Sequence, residues 1–231
     1  GKYKPSRRHV EAEPSPIPPR PTRAAAPKIE TAVDRFRESM VMNYERWHDG
    51  IGYAVDILKT ATPEDLVEIE SLLVSRSVDD WRDVEALAAL DSPRARVVLR
   101  KALHSGNHRV RLAVAEYAPG LISEAERTAA LVSALEGADN YGGLTQALLQ
   151  VESFHPPEIV AALLRGVLTR PGGNAVHFAA MLMFIHGKAK TAFDWDQRPF
   201  FLEFNTEDRT KRQALYRELC VKIGVPPDPR S

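Results

Sequence analysis

Asp91-Ser92-Pro93-Arg94-Ala95-Arg96-Val97-Val98-Leu99, followed by Asn107-His108-Arg109-Val110-Arg111-Leu112-Ala113-Val114, shows how this chain opens its helices. In the first stretch a serine hydroxyl can accept from an amide of the opening turn. The proline after it fills a position whose N–H has no helical partner. The device recurs. Thr62-Pro63-Glu64-Asp65 adds acids to the first turn, Ser123-Glu124-Ala125-Glu126 is a capping box, and Pro156-Pro157-Glu158 supplies proline and acid again. These starts, at 62, 92, 123 and 156, lie 30, 31 and 33 residues apart. Constant spacing with varied sequence marks a repeat of helical units.

Each unit splits in two. Leu66, Ile69, Leu72 and Leu73 stripe one helix, and Trp81, Val84, Leu87 and Leu90 stripe the next. Glycines at 106, 137, 142–143 and 172–173 divide the later units, and no alternating β pattern of useful length occurs. Upstream, Val33, Phe36, Met40, Tyr44 and Trp47 predict one N-terminal helix with a single apolar stripe. Downstream, Lys188–Asn205 is an aromatic-rich connection, and Asn205-Thr206-Glu207-Asp208 caps a last helix striped by Leu215, Leu219, Cys220 and Ile223. The expected fold is all-α, a stack of helical hairpins between an N-terminal helix and a C-terminal capping helix.

The two stretches quoted first resemble the unit of HEAT-like repeats of the short, phycobilisome-lyase type, in which a polar cap precedes Val-Arg and a small-residue stripe. The resemblance covers roughly residues 62–186 and implies a right-handed α-solenoid of about four hairpins, with Arg111 tying repeats together. Units three and four depart from it, with Leu144-Thr145-Gln146 and Val176-His177-Phe178 where Val-Arg is expected. Such a motif speaks to architecture and not to activity.

The chain holds 231 residues, 44% apolar and 27% charged, with 31 basic and 31 acidic side chains. Nothing global draws it to nucleic acid, and no apolar run approaches the ~18 residues of a membrane span. One cysteine, Cys220, excludes an internal disulfide framework and suits a reduced, cytoplasmic compartment. Residues 1–28 hold seven prolines and a net charge of +5, a basic tail or linker before the helical domain at 29–231. The start at Gly1, not Met, adds the expectation that the repeats are the C-terminal scaffold of a longer protein.

The neutral total conceals blocks. Residues 49–91 carry eleven acids against three bases, and residues 92–118 carry six bases against Glu116 alone. Either the acidic block steers a cationic partner, or the two blocks neutralise one another across a helix contact. Asp79-Asp80-Trp81-Arg82-Asp83-Val84-Glu85 is its densest part, with Trp81 on the apolar stripe and Asp79, Arg82 and Asp83 on solvated faces. In Phe193-Asp194-Trp195-Asp196 the aromatics either fold back on the core or form a contact surface.

Catalytic and cofactor chemistry finds little footing. None of the seven histidines is followed by Glu, so no metal pair of that kind is present. His177 and His186 lie half a turn out of phase on one helix, Gly187-Lys188 lacks a phosphate cradle, and Cys220 reads as packing. No cofactor is expected. The reading is a non-catalytic module binding a basic protein through Asp79, Asp80, Asp83 and Glu85, with Trp195 as anchor. Small bacterial HEAT-like proteins that inhibit a cognate toxin (immunity proteins) fit that description. The alternative is an enzyme resembling HEAT-like DNA glycosylases, with Arg94, Arg96, Arg100, Lys101, Arg109 and Arg111 as its phosphate patch. Residues 29–231, however, carry 24 bases against 29 acids, the wrong sign for DNA.

Overall fold

A computed structural model describes residues 31–227 except 171, and the proline-rich stretch at 1–28 lies outside them. Among the described residues every regular element is helical. Four pairs follow in order: α3 (Pro63–Val74) with α4 (Trp81–Leu90), α5 (Pro93–Ala102) with α6 (His108–Tyr117), α7 (Glu124–Gly137) with α8 (Thr145–Val151), and α9 (Pro157–Thr169) with α10 (Gly173–Ile185). The helix starts read from sequence open α3, α5, α7 and α9. Thr62, Ser92 and Ser123 each accept from the backbone N–H three residues on, and Ser123 and Glu126 complete the capping box. Contacts run within pairs and between successive pairs: α3 meets α5, α4 meets α6, α6 meets α8 and α7 meets α9.

Two buried clusters result. One gathers Val33, Phe36, Ile69, Val84, Leu99, Val110 and Val114; the other runs from Leu112 through Leu163 and Phe178 to Ile223. Helix α6 belongs to both, because Leu112 faces one cluster while Val110, Ala113 and Val114 face the other. Polar ties cross the same seam. Arg111 donates to the Ser105 carbonyl and to Ser133 Oγ on α7, and Gln150 of α8 donates to the Leu112 carbonyl.

The N-terminal expectation needs correction. One helix through Trp47 does not form: α1 (Ala32–Ser39) stops, and α2 (Tyr44–His48) starts afresh. Asn43 is the cause. Its side chain accepts from Arg46 N, and the Arg46 guanidinium takes the Glu38 and Val41 carbonyls. Tyr44 and Trp47 consequently stand exposed and are not part of a buried stripe. The aromatic connection also holds an unanticipated short helix, α11 (Arg198–Glu203), before α12 (Arg209–Ile223), which Asp208 caps.

At the α9–α10 contact Gly166 is buried, and a Cβ there would run into the Phe178 ring. Glycine to alanine inside a helix ordinarily stabilises by about 0.5–1 kcal/mol. Gly166→Ala will do the opposite and destabilise by about 1–3 kcal/mol, because the fully buried ring has nowhere to retreat. Urea unfolding checks the sign.

A second expectation concerns acid. The Arg100 guanidinium and the capping bonds to Ser123 hold Glu126 down to about 2. A carboxyl depressed in the folded state contributes stability above its ordinary range, and loses it as pH falls through the folded value. Stability will therefore decline between about pH 4.5 and 2, and Glu126→Gln will flatten that part of a melting-temperature profile.

Candidate functional site

The acid-rich stretch does not gather into one negative surface. Asp79 is exposed, while Asp80 is the N-cap of α4, accepts from Arg82 N at 2.8 Å and pairs with the Arg82 guanidinium at 3.1 Å. Asp83, expected on a solvated face, is buried at 3% exposure. It accepts from Tyr53 Oη at 2.8 Å and from Asp79 N at 3.3 Å, and faces Arg76 at 3.8 Å. Arg82, likewise expected in solvent, is 2% exposed and donates to the Ile51 and Arg46 carbonyls. Residues 82 and 83 lie on the side of α4 that packs on the segment 46–53, where only paired charges are tolerated.

The neighbouring basic block is matched as well. Arg94 pairs with Glu70 at 3.1 Å, Arg96 with Asp91 at 2.8 Å and Arg100 with Glu126 at 2.9 Å. Of the two readings of the charge blocks, mutual neutralisation describes these residues.

What remains free sits one face round. Trp81, on α4, packs against the N-terminal core cluster and lies parallel to Tyr117 of α6, with ring centroids 6.4 Å apart and planes 19° apart. Arg82 stacks on the Trp81 ring at 4.6 Å and so fixes it. Glu85, one turn along α4, lies near enough to Tyr117 that its charge helps to push the hydroxyl up. The two rings, with Arg109 and Glu116 of α6, Gln146 of α8 and Gly50, frame a cavity of about 250 Å³. Burial, reinforced by the Glu85 charge, pushes the Glu116 carboxyl above its usual range, and burial pushes the Tyr117 hydroxyl up too. Two buried polar atoms at this cavity have no hydrogen-bond partner: Arg109 Nε and Gln146 Oε1.

Trp195 belongs to another neighbourhood. It is 72% exposed, with Arg198 over its ring at 5.0 Å and Phe193 edge-on at 6.4 Å. The segment divides: Phe193 folds back against His177 and Phe201, Asp194 is buried and accepts from the amides of Lys190 and Asp196, and Trp195 projects. Beside it, Leu148, Leu149, His177, Met181 and Phe193 line a shallower groove of about 180 Å³ between α8 and α10. Helix α8 thus contributes to both hollows.

Sequence reasoning singled out Glu85 and Trp195, neither of which lines this cavity, and did not foresee the cavity itself. A signal existed: Trp81 and Glu85 are i, i+4 on one helix, and Arg109, Ala113 and Glu116 follow i, i+4, i+7 on another. Their convergence depends on α4 lying against α6, which no local pattern encodes.

No group of three or more His, Cys, Asp or Glu among the described residues could hold a metal ion, and no helix there is long and apolar enough to cross a membrane. Compared with family models, curated proteins and solved structures, the chain matches none.

Proposed function

We propose that this chain is a non-catalytic, protein-binding module: a HEAT-like, right-handed solenoid whose second helices α4, α6, α8 and α10 line the binding face. The observation that carries it is the exposed Trp195 next to a groove that α8 and α10 line. The partner class is a basic protein, since Glu116 at the cavity and Glu152 at the groove have no ion pair with an arginine among the described residues. Within that class the favoured role is immunity-type inhibition of a cationic toxin, in the reduced, cytoplasmic setting that a lone buried cysteine suits. A nucleic-acid enzyme has less support, because Arg94, Arg96 and Arg100 are each spent on a carboxylate.

Immobilised full-length protein incubated with host lysate tests this. The expected result is capture of one basic protein, released by raised salt, with Trp195→Ala reducing capture by about tenfold or more, the loss typical of an aromatic anchor. Capture of nucleic acid, or equal capture by the variant, contradicts the reading.

A further inference from the structure

The seam between α6 and α7 carries a titratable group that the binding face does not use. His108 opens α6, half-buried, and its Nδ1 lies 2.6 Å from Arg111 Nη2. A guanidinium only donates, so Nδ1 is the acceptor and the proton of the neutral ring sits on Nε2. The same guanidinium donates to the Ser105 carbonyl and to Ser133 Oγ of α7, each at 3.0 Å. Nε2 in turn lies against α7, since a Cβ at Gly137 would stand 3.4 Å from it. His108 thus supplies one of three acceptors to the arginine that ties the second pair to the third. The buried Arg111 Nε has no acceptor among the described residues, so losing one more weighs on a guanidinium already short of partners.

Protonation would remove that acceptor and add charge where the neighbours are already positive. The charges that act on His108 are Arg111 and Arg170, which follows α9 and donates to the Leu135 and Ala138 carbonyls at the end of α7. Carboxylates on the elements packed against α6 are engaged elsewhere. Glu126 and Glu136 of α7 pair with Arg100 and Arg165, and Asp139 beyond it acts on Arg170. On the α4 side, Asp83 accepts from Tyr53, Asp91 pairs with Arg96, and Glu85 acts on Glu116 and Tyr117. The cations nearby give no relief. Lys101 and His104 line an open hollow on α5, and Arg109 faces the cavity beside Trp81. Burial, with the two guanidiniums, accordingly holds His108 below the ordinary histidine range.

We propose that His108 is a proton-operated latch on the α6–α7 joint: neutral, it fixes Arg111 on Ser133; protonated, it releases that guanidinium and loosens α7 from α6. The folded joint prefers the neutral ring. Its contribution is therefore complete above the ordinary histidine range and is lost as pH falls below it. That window lies above the one in which Glu126 takes up its proton, so the two responses to acid separate. His177, also held low by burial, responds in the same window but sits on α10, away from this joint.

Hydrogen exchange, followed amide by amide and corrected for intrinsic rates, tests the latch on full-length protein at about pH 7.5 and about pH 5. Protection in α6 and α7 is expected to fall about tenfold at the lower pH, the worth of one hydrogen bond to a charged group, while α3 changes little. His108→Gln, whose amide oxygen can still accept from Arg111, will abolish that fall, and His177→Gln will leave it in place. Nitrogen-15 shifts of the His108 ring give a reading that needs no variant. They are expected to show a bare Nδ1 at neutral pH and titration below the ordinary histidine range. The same acid response in His108→Gln, a loss spread evenly over every helix, or a ring protonated on Nδ1 at neutral pH overturns the proposal.

Discussion

Arg82→Ala will lower the stability of this protein by about 3–5 kcal/mol, the range for removing one member of a buried charge network. The side chain is 2% exposed, and its guanidinium donates to three groups: the Ile51 carbonyl, the Arg46 carbonyl at 3.3 Å and the Asp80 carboxylate. Truncation strips two backbone carbonyls of their partner and removes the cation beneath Trp81. At about 2–4 °C per kcal/mol for a chain of this size, the melting midpoint falls by roughly 6–20 °C. Arg82→Lys will recover little, because a point ammonium cannot serve three acceptors that a planar fork reaches together. Calorimetry or urea melts give the number directly, and a loss below about 1 kcal/mol would remove Arg82 from the structural frame.

Asp83→Ala is the second large effect, about 3 kcal/mol, and Asp83→Lys will be worse. The carboxylate accepts from a buried phenol and a main-chain amide while Arg76 stands at 3.8 Å. Burial and the bond to Asp83 together push the Tyr53 hydroxyl well above its ordinary range, so the phenol stays a donor at any physiological pH. Without Asp83 that donor is stranded beside Phe36, whose ring lies 6.2 Å from it. A double-mutant cycle with Tyr53→Phe isolates the bond, with an expected coupling of about 1.5–3 kcal/mol for a hydrogen bond to a charged group. Simple additivity of the two losses would show the contact to be incidental. Reversing Asp79, Asp80 and Asp83 together to lysine therefore damages the fold and does not merely slow association, as a purely solvated cluster would have done.

These two residues show where the sequence was legible and where it was not. Caps are local statements: Thr62, Ser92 and Ser123 announce their helices because acceptor and amide are three residues apart. Asn43 was equally local, yet a run of apolar residues at helical spacing disguised it. The side of α4 that is buried is a different matter. It is fixed by Tyr53 and Ile51, some thirty positions upstream of Asp83 and Arg82, and a charged residue reads as solvated until its distant partner is known. Trp81 packs against the core as its periodicity predicts, and only its meeting with Tyr117 on the next pair, which makes it a cavity wall as well, was beyond any local pattern. For Trp195 the sequence left two outcomes open, because its exposure depends on Phe193 having already filled the space beside Phe201.

The two hollows also bear on stability and function together. Glu116 sits beside Glu85 with its carboxyl pushed above the usual range, and Arg109 and Gln146 leave buried atoms unpaired. A fold selected for stability alone would have closed these groups, as it closed Glu70, Asp91 and Glu126.

Photo-crosslinking in host lysate tests the binding face most directly. A benzophenone amino acid in place of Leu149, exposed on α8 between the cavity and the groove, is compared with the same group at Val97, exposed on the first helix of its pair. One basic protein joined from position 149 and absent from position 97 is the predicted outcome. Nucleic acid joined from position 149, or identical products from both positions, would contradict a protein-binding face on the second helices.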